Sequence, residues 1–223
     1  MKAMILAAGR GERMRPLTDT LPKPLLEVEG KPLIVWHIEG LAQNGFKKIV
    51  INIAHLGQKI VDYLGDGSRY GVDIAYSDER KSGALESAGA IIKALPLLGD
   101  EPFLVVNGDI FCEYEFKNNF DLKDKAAHLI LVSNPQHNKG GDFGLDGSLV
   151  LNKDEDMYTF SGIGYYNPVL FKNLPETKAP LAPLLREAIE YKKVSGELFN
   201  GLWMDIGTPQ RLQNINEKIS STP

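Results

Sequence analysis

The sequence predicts an α/β protein with a mostly parallel sheet flanked by helices, and three observations carry that prediction. In the first half, short apolar runs alternate with segments of helical period, the pattern of successive βαβ units. A loop rich in glycine and arginine follows directly on the first apolar run, at the sheet edge where parallel-strand proteins bind ligands. Between residues 134 and 154 Gly, Asn and Asp accumulate, the composition of hairpins and long loops.

Taken in order, Lys2 to Ala7 reads as a short buried strand. Pro32 fits the first turn of a helix carrying Leu33, Ile34, Ile38 and Leu41, closed by Asn44-Gly45. Lys48 to Ile53 is a second strand, and Gln58 to Leu64 a short helix ended by Gly65 and Gly67. Val72 to Tyr76 is a third strand, Ser87 to Leu95 a helix stopped by Pro96, and Phe103 to Val106 a fourth strand. Phe160 to Tyr166 is strand-like, with glycines where a backbone or ligand approaches closely. Leu184 to Lys192 is an amphipathic helix and Leu202 to Ile206 a last strand; Thr208-Pro209 caps and begins the closing helix. With no repeat, low-complexity run or linker, residues 1–223 read as one domain.

Composition narrows the function. A chain of 223 residues, 43% hydrophobic and 24% charged, buries a core without disulfide or metal and is too apolar for disorder. A net charge of −4 argues against a nucleic-acid partner. The single Cys112 suits a reducing compartment, and neither a targeting segment nor a bilayer-spanning run is present, so a cytoplasmic protein without a membrane partner is expected. His37, His55, His128 and His137 are scattered without metal-ligand spacing and read as core or surface histidines.

The strongest signal is Leu6-Ala7-Ala8-Gly9-Arg10-Gly11-Glu12-Arg13-Met14-Arg15-Pro16-Leu17-Thr18, followed by Pro22-Lys23-Pro24-Leu25. Glycines bring backbone amides close to phosphate oxygens, and successive amides form an anion-binding nest. Lys2, Arg10, Arg13, Arg15 and Lys23 oppose only Glu12 and Asp19, so the first 24 residues carry a net +3. A dinucleotide fingerprint is excluded because Met14 stands where its third glycine belongs. A Walker loop is excluded because Gly30-Lys31 is followed by Pro32. A bare pair of glycines reads equally as an ordinary turn. Lys23 adds weight, because the prolines on either side stiffen the backbone that aims it.

Two separated aspartates complete the pattern. Asn107-Gly108-Asp109 follows a buried run on the same sheet edge, and Asp205 comes late, in Trp203-Met204-Asp205-Ile206-Gly207. Magnesium is commonly held by one or two carboxylates with substrate phosphates and waters, a role these two residues suit. Turn chemistry for Asp109 and helix capping for Asp205 are the alternative readings.

These segments resemble the sugar-1-phosphate nucleotidyltransferases, or nucleoside-diphosphate-sugar pyrophosphorylases. The match is carried by LAAGRGERMRPLT at 6–18, PKPL at 22–25, NGD at 107–109, FSGIGYY at 160–166 and WMDIGTP at 203–209, in the family's order. The short length, the run Ala179 to Arg186 and Val194-Ser195-Gly196-Glu197 look most like the N-acetylmuramate 1-phosphate uridylyltransferases of bacterial cell-wall recycling. The resemblance implies a Rossmann-like sheet with a smaller β-rich sugar-binding insertion, residues 1–110 forming the nucleotide half and 111–223 the sugar half.

Residue by residue, it implies that Ala7, Ala8 and Gly9 present backbone to the nucleobase and that Gly11 and Arg13 cradle the triphosphate. Glu12 and Asn107 join the nucleotide site, Lys23 reaches the phosphates between the two substrates, and Asp109 and Asp205 hold Mg²⁺. Arg13, Lys23 and Asp109 form the catalytic set. Glu86, Asn107, Gly144, Ser161 and Gly162 line the sugar-phosphate site, although Gly144 also reads as a hairpin glycine and Ser161-Gly162 as a bulge.

Two departures from the family pattern stand out. Many relatives have LGTAG where this chain has Leu85-Glu86-Ser87-Ala88-Gly89, so Glu86 either accepts hydrogen bonds from sugar hydroxyls or starts a helix. The family's Glu-Lys-Pro has its nearest counterpart in Asn152-Lys153-Asp154. No residue stands out for a carboxylate on the sugar; Arg80, Lys139 and Lys153 read as solvated loop cations.

The expected reaction is in-line attack by a sugar 1-phosphate, foremost N-acetylmuramate 1-phosphate, on the α-phosphorus of UTP, releasing pyrophosphate. A phosphate monoester has its second pKa near about 6, so its oxygen is already anionic and needs no general base. The alternatives are GTP with mannose or heptose 1-phosphate, UTP or dTTP with glucose or N-acetylglucosamine 1-phosphate, and a module that binds without turnover. A monomer is expected.

Overall fold

The computed structural model describes residues 1–220. The strands are β1 (Lys2–Leu6), β2 (Glu27–Val28), β3 (Lys31–Pro32), β4 (Lys48–Ile53), β5 (Asp73–Asp78), β6 (Phe103–Asn107), β7 (Ile110–Cys112), β8 (Ala127–Val132), β9 (Phe143–Asp146), β10 (Leu149–Leu151), β11 (Met157–Tyr166), β12 (Val194–Leu198) and β13 (Trp203–Asp205). The helices are α1 (Leu33–Gln43), α2 (Gly57–Leu64), α3 (Glu86–Leu98), α4 (Leu181–Glu190) and α5 (Pro209–Ser220).

One nine-stranded sheet runs in the order β5-β4-β1-β6-β11-β8-β12-β10-β9. The first four are parallel, as the βαβ alternation requires. β11 then inserts antiparallel between β6 and β8, so the parallel character belongs to the N-terminal half while the other half is mixed. The expected Gly/Asn/Asp-rich hairpin is β9–β10, turning at Gly147 (φ +58°). β11 begins at Met157, earlier than its apolar run, because its first residues pair with β9.

Strand alternation sorts the core into two layers. Ala3, Ile5, Ile49, Ile51, Leu104 and Val106 face α1 and α2, whereas Met4, Val50, Phe103 and Val105 face α3 and α4. A third cluster, Met14, Leu26, Val28, Leu33, Phe111, Ile206 and Ile215, packs the glycine loop against β13 and α5. That cluster brings residues near position 205 back to the mouth of β1.

At three prolines the helix boundaries depart from the sequence reading. Pro32 lies in β3 and precedes α1 with an extended backbone (ψ 137°), so it sits just ahead of the first turn. Pro96 lies inside α3, which continues to Leu98 and ends at Gly99. In a last turn proline removes a single backbone bond, and burial of Leu98 (2% exposed) outweighs it. α4 begins at Leu181, three residues early, because Pro183 falls in its first turn, where no amide partner is lost.

Candidate active site

β1 and β6 are neighbours whose last residues, Leu6 and Asn107, are in register, so both following loops open on one sheet edge. A cleft of about 750 Å³ lies there, lined by the whole loop from Leu6 to Arg13 together with Lys23, Asn107, Gly108 and Asp109. Gly11 has φ +65°, and a Cβ on it would come within 2.9 Å of Thr18, so the turn requires glycine. The loop is anchored from below: Thr18 Oγ1 donates to the Gly11 carbonyl at 2.7 Å, and Met14 is wholly buried. Arg10 and Arg13 remain exposed around the nest.

Lys23 opens a single helical turn, Lys23–Leu25, between Pro22 and Pro24, and its side chain is almost fully covered. Its Nζ donates to Asp109 Oδ2 at 2.8 Å, closing the cleft floor across 86 residues of chain. Asp205 is brought beside this pair because β13 pairs with β7, placing it opposite Ile110. Arg211 of α5 donates to Asp205 Oδ2. His137 Nε2 lies 2.9 Å from Asp205 Oδ1 without hydrogen-bond alignment, so that buried oxygen has no hydrogen-bond partner among the described residues. Gly207 stands between the two arginines; a Cβ on it would lie 2.8 Å from Arg211 Nη1 and 3.3 Å from Arg13 Nη2.

Sequence reasoning missed a buried relay that holds the cleft wall. Asn52 Oδ1 accepts from the Ala7 amide at 2.7 Å, and its Nδ2 donates to Glu79 Oε1 at 2.7 Å. Glu79 Oε2 accepts from the Leu85 amide at 2.9 Å. Burial pushes the Glu79 carboxyl above its ordinary value, against the pull of those two donors. A polar residue inside the apolar run Lys48–Ile53 was the available signal for Asn52. His137, read as an ordinary histidine, also belongs to the site. His37 does not: burial lowers its pKa to about 4, and Nε2 meets the Ile110 carbonyl at 2.8 Å as a neutral structural group.

Two further clefts adjoin the first. One of about 430 Å³ is lined by Glu86, Ser87, Asn107, Asp142, Phe143, Phe160, Gly162 and Arg186, among others. The other, about 330 Å³, holds Asn107, Asp109, His137, Ser161 and Asp205. Asn107 lines all three, and it fits because Gly162 (φ +84°) has no Cβ; one there would lie 2.6 Å from Asn107 Nδ2. Ser161 and Gly162 do form a bulge, and the Ser161 hydroxyl is spent on the Ile130 carbonyl at 2.7 Å.

Of the two expected readings of Glu86, the helix start is the one the structure bears on directly, and the side chain also reaches cleft walls. Glu86 starts α3, and it lines the first two clefts, with Oε1 3.3 Å from Lys178 Nζ. Gly144 is the expected site residue that lines none of the three clefts: it packs against Asp154, where a Cβ would lie 2.4 Å from that side chain's own. Its neighbours Asp142 and Phe143 take the cleft-lining place. Arg80, Lys139 and Lys153 are likewise absent from the three linings, and Arg80 is paired with Asp78.

The family model described as Nucleotidyl transferase matches residues 2–146. The chain is 55% identical over 223 residues to the N-acetylmuramate alpha-1-phosphate uridylyltransferase of Neisseria meningitidis, with 96% of each chain covered. It is 30% identical to the bifunctional protein GlmU of Methanococcus maripaludis, over 97% of this chain and 54% of that one. Among solved structures, the inositol-1-phosphate CTP transferase from T. maritima superposes with a TM-score of 0.76 at 19% identity, covering 99% of this chain and 96% of that one, a likeness of fold.

Proposed function

The chain belongs to the nucleotidyl transferase family, and from that premise we propose that it transfers the uridylyl group of UTP to N-acetylmuramate 1-phosphate, releasing pyrophosphate. The observation that carries this reading is the junction of the clefts. The glycine–arginine cleft and its 430 Å³ neighbour share Leu6, Glu86, Ser87 and Asn107, so a nucleotide in one and a sugar 1-phosphate in the other meet above the Lys23–Asp109 pair.

One bond forms, from the sugar-phosphate oxygen to the α-phosphorus of UTP, and one breaks, from that phosphorus to the pyrophosphate oxygen. The attacking oxygen is anionic at neutral pH, since the second pKa of a phosphate monoester is near about 6, and no proton has to be removed. The buried, neutral His37 is therefore not needed as a base. The protein aligns two polyanions and offsets their charge. Ala7, Ala8 and Gly9 offer backbone to the base, Gly11, Glu12 and Arg13 surround the triphosphate, and Lys23 stands where the two phosphates meet. Arg13, Lys23 and Asp109 carry the catalysis; Glu86, Asn107, Ser161 and Gly162 shape the sugar side.

Asp109 and Asp205 are the residues that would hold Mg²⁺. Their donor set fits: Lys23 engages only Oδ2 of Asp109, and Asp205 Oδ1 is buried without an aligned partner. Substrate phosphates and water would supply the remaining ligands of such an ion. The bound ion would act as template and Lewis acid on the phosphoryl oxygens.

The proposal includes residues 1–223 acting as one unit, with the nucleotide half at 1–110 and the sugar half at 111–223. The sheet continuous across both halves supports it. A cytoplasmic location is part of the same proposal, supported by the single Cys112, which suits a reducing compartment, and a monomer is proposed with it. No described helix is long and apolar enough to cross a membrane. The test is pyrophosphate release with UTP, GTP, CTP and dTTP crossed against N-acetylmuramate, N-acetylglucosamine, glucose and mannose 1-phosphates in magnesium buffer. Greatest kcat/KM for UTP with N-acetylmuramate 1-phosphate is expected; a clear preference for any other pair overturns the assignment.

A further inference from the structure

The 430 Å³ cleft has one cationic lining residue, Arg186 of α4, and we infer that Arg186 reads the lactyl carboxylate that distinguishes N-acetylmuramate from N-acetylglucosamine. This inference rests on the function proposed above and names the selecting residue within that site.

Every other charged group in this lining is already committed. Asp142 Oδ2 accepts from the Phe160 amide at 2.8 Å and Oδ1 from Asn138 Nδ2 at 3.2 Å, which fixes its carboxylate to the β9–β11 backbone. Glu86 is matched by Lys178, so that lysine, at the rim of the neighbouring cleft, arrives neutralised. Arg186 has no carboxylate within ion-pair distance among the described residues. Its guanidinium donates from Nη2 to the Asp142 carbonyl at 3.2 Å and more weakly from Nη1 to Asn152 Oδ1 at 3.4 Å. Of five N–H donors, three remain unused.

Two contacts brace the exposed side chain. The guanidinium carbon lies 5.0 Å from the centroid of Phe143, itself 2% exposed, and the carbonyl contact holds the group in place against that ring. Phe143, Phe160, Leu181 and Leu185 make the surrounding wall apolar, which strengthens a charge pair formed against it. A planar fork with free donors beside a sugar-sized cavity matches a carboxylate, whereas a lysine's point charge would not reproduce a two-point contact. An arginine serving only solubility would favour neither sugar.

The experiment compares kcat/KM for N-acetylmuramate 1-phosphate and for N-acetylglucosamine 1-phosphate, each with UTP and Mg²⁺, in the wild type, Arg186→Met and Arg186→Lys. The methionine keeps the stem on Phe143 and removes the charge; the lysine keeps the charge and removes the fork. The ratio favouring the muramate is expected to fall roughly 10- to 100-fold in Arg186→Met, mostly through KM, with a smaller fall in Arg186→Lys. A ratio unchanged in both variants, even with lower activity overall, makes Arg186 structural and overturns the inference while leaving the proposed function standing. A wild type that does not turn over N-acetylmuramate 1-phosphate overturns both.

Discussion

Asn52→Ala isolates the relay that holds the Ala7 edge of the cleft. Asn52 is 3% exposed and makes two hydrogen bonds of 2.7 Å, one from the Ala7 amide and one to the Glu79 carboxylate. Truncation leaves the amide without its acceptor, at about 1–3 kcal/mol, and takes from a buried carboxylate a bond worth about 1.5–3 kcal/mol. Asn52 also lines the cleft, so water entering the gap recovers part of that loss; a net destabilisation of about 3 kcal/mol is expected. Urea unfolding measures it as a lower midpoint with an unchanged slope. The pH dependence has a definite sign. Burial already raises the Glu79 carboxyl, so the folded state holds its proton to higher pH than the unfolded chain, and stability falls as pH rises through that interval. Losing the Asn52 donor raises the carboxyl further, which makes the deficit of the variant larger at pH 7 than at pH 5. A deficit below about 1 kcal/mol, or one equal at both pH values, would refute the relay as an energetic element.

Lys23→Ala is expected to lower kcat by about a hundred-fold or more in steady-state assays, since the proposed mechanism sets Lys23 against the charge that develops in the transition state; an unchanged kcat with a raised KM would make it a ground-state binder instead. Asp109→Ala and Asp205→Ala should each abolish pyrophosphate release with the circular dichroism spectrum retained, and near-normal turnover by either variant in magnesium buffer would remove it from the metal site. His37, with its pKa lowered from 6.5 to about 4, stays neutral in the fold while the unfolded chain takes up a proton. Stability should therefore be lost as pH falls through that window, by roughly 3 kcal/mol in all, and a His37→Gln variant should lack this part of the acid slope.

Legibility from the sequence followed the range of the interactions. β1, β4 and β6 were readable because each is a mainly apolar run set off from its neighbours by polar or turn residues. β8 was not, although all six of its residues are buried: a strand covered on both faces has no alternation to reveal it, and no glycine or proline lies immediately beside it. The insertion of β11 between β6 and β8 was equally hidden, since strand order depends on partners some 60 residues apart, such as Val106 and Ile163. In the site, Lys23 and Asp109 each carried a local mark, flanking prolines in one case and a strand end in the other. Glu79, His137 and Arg186 carried none, because an acid in a loop, a histidine in a loop and an arginine on an amphipathic helix acquire their meaning only from what folds against them.

Glu86 joins the two kinds of information. Its departure from a family glycine was visible in the sequence, but the reason glycine suits the position is its backbone, which takes φ +61°. That conformation costs a residue bearing a Cβ on the order of 1 kcal/mol or more, and neighbouring contacts must hold it there. They do so at the start of α3, where the Ala179 carbonyl accepts from the amides of Ala88 and Gly89 and brings Lys178 alongside the Glu86 carboxylate. A strained residue retained between two clefts, with a partner to match its charge, is better explained by the need for an acceptor there than by the helix it begins. Glu86→Gly should accordingly leave the fold as stable or slightly more so, while raising the KM for the sugar phosphate. A variant with unchanged KM would reduce Glu86 to a helix terminus.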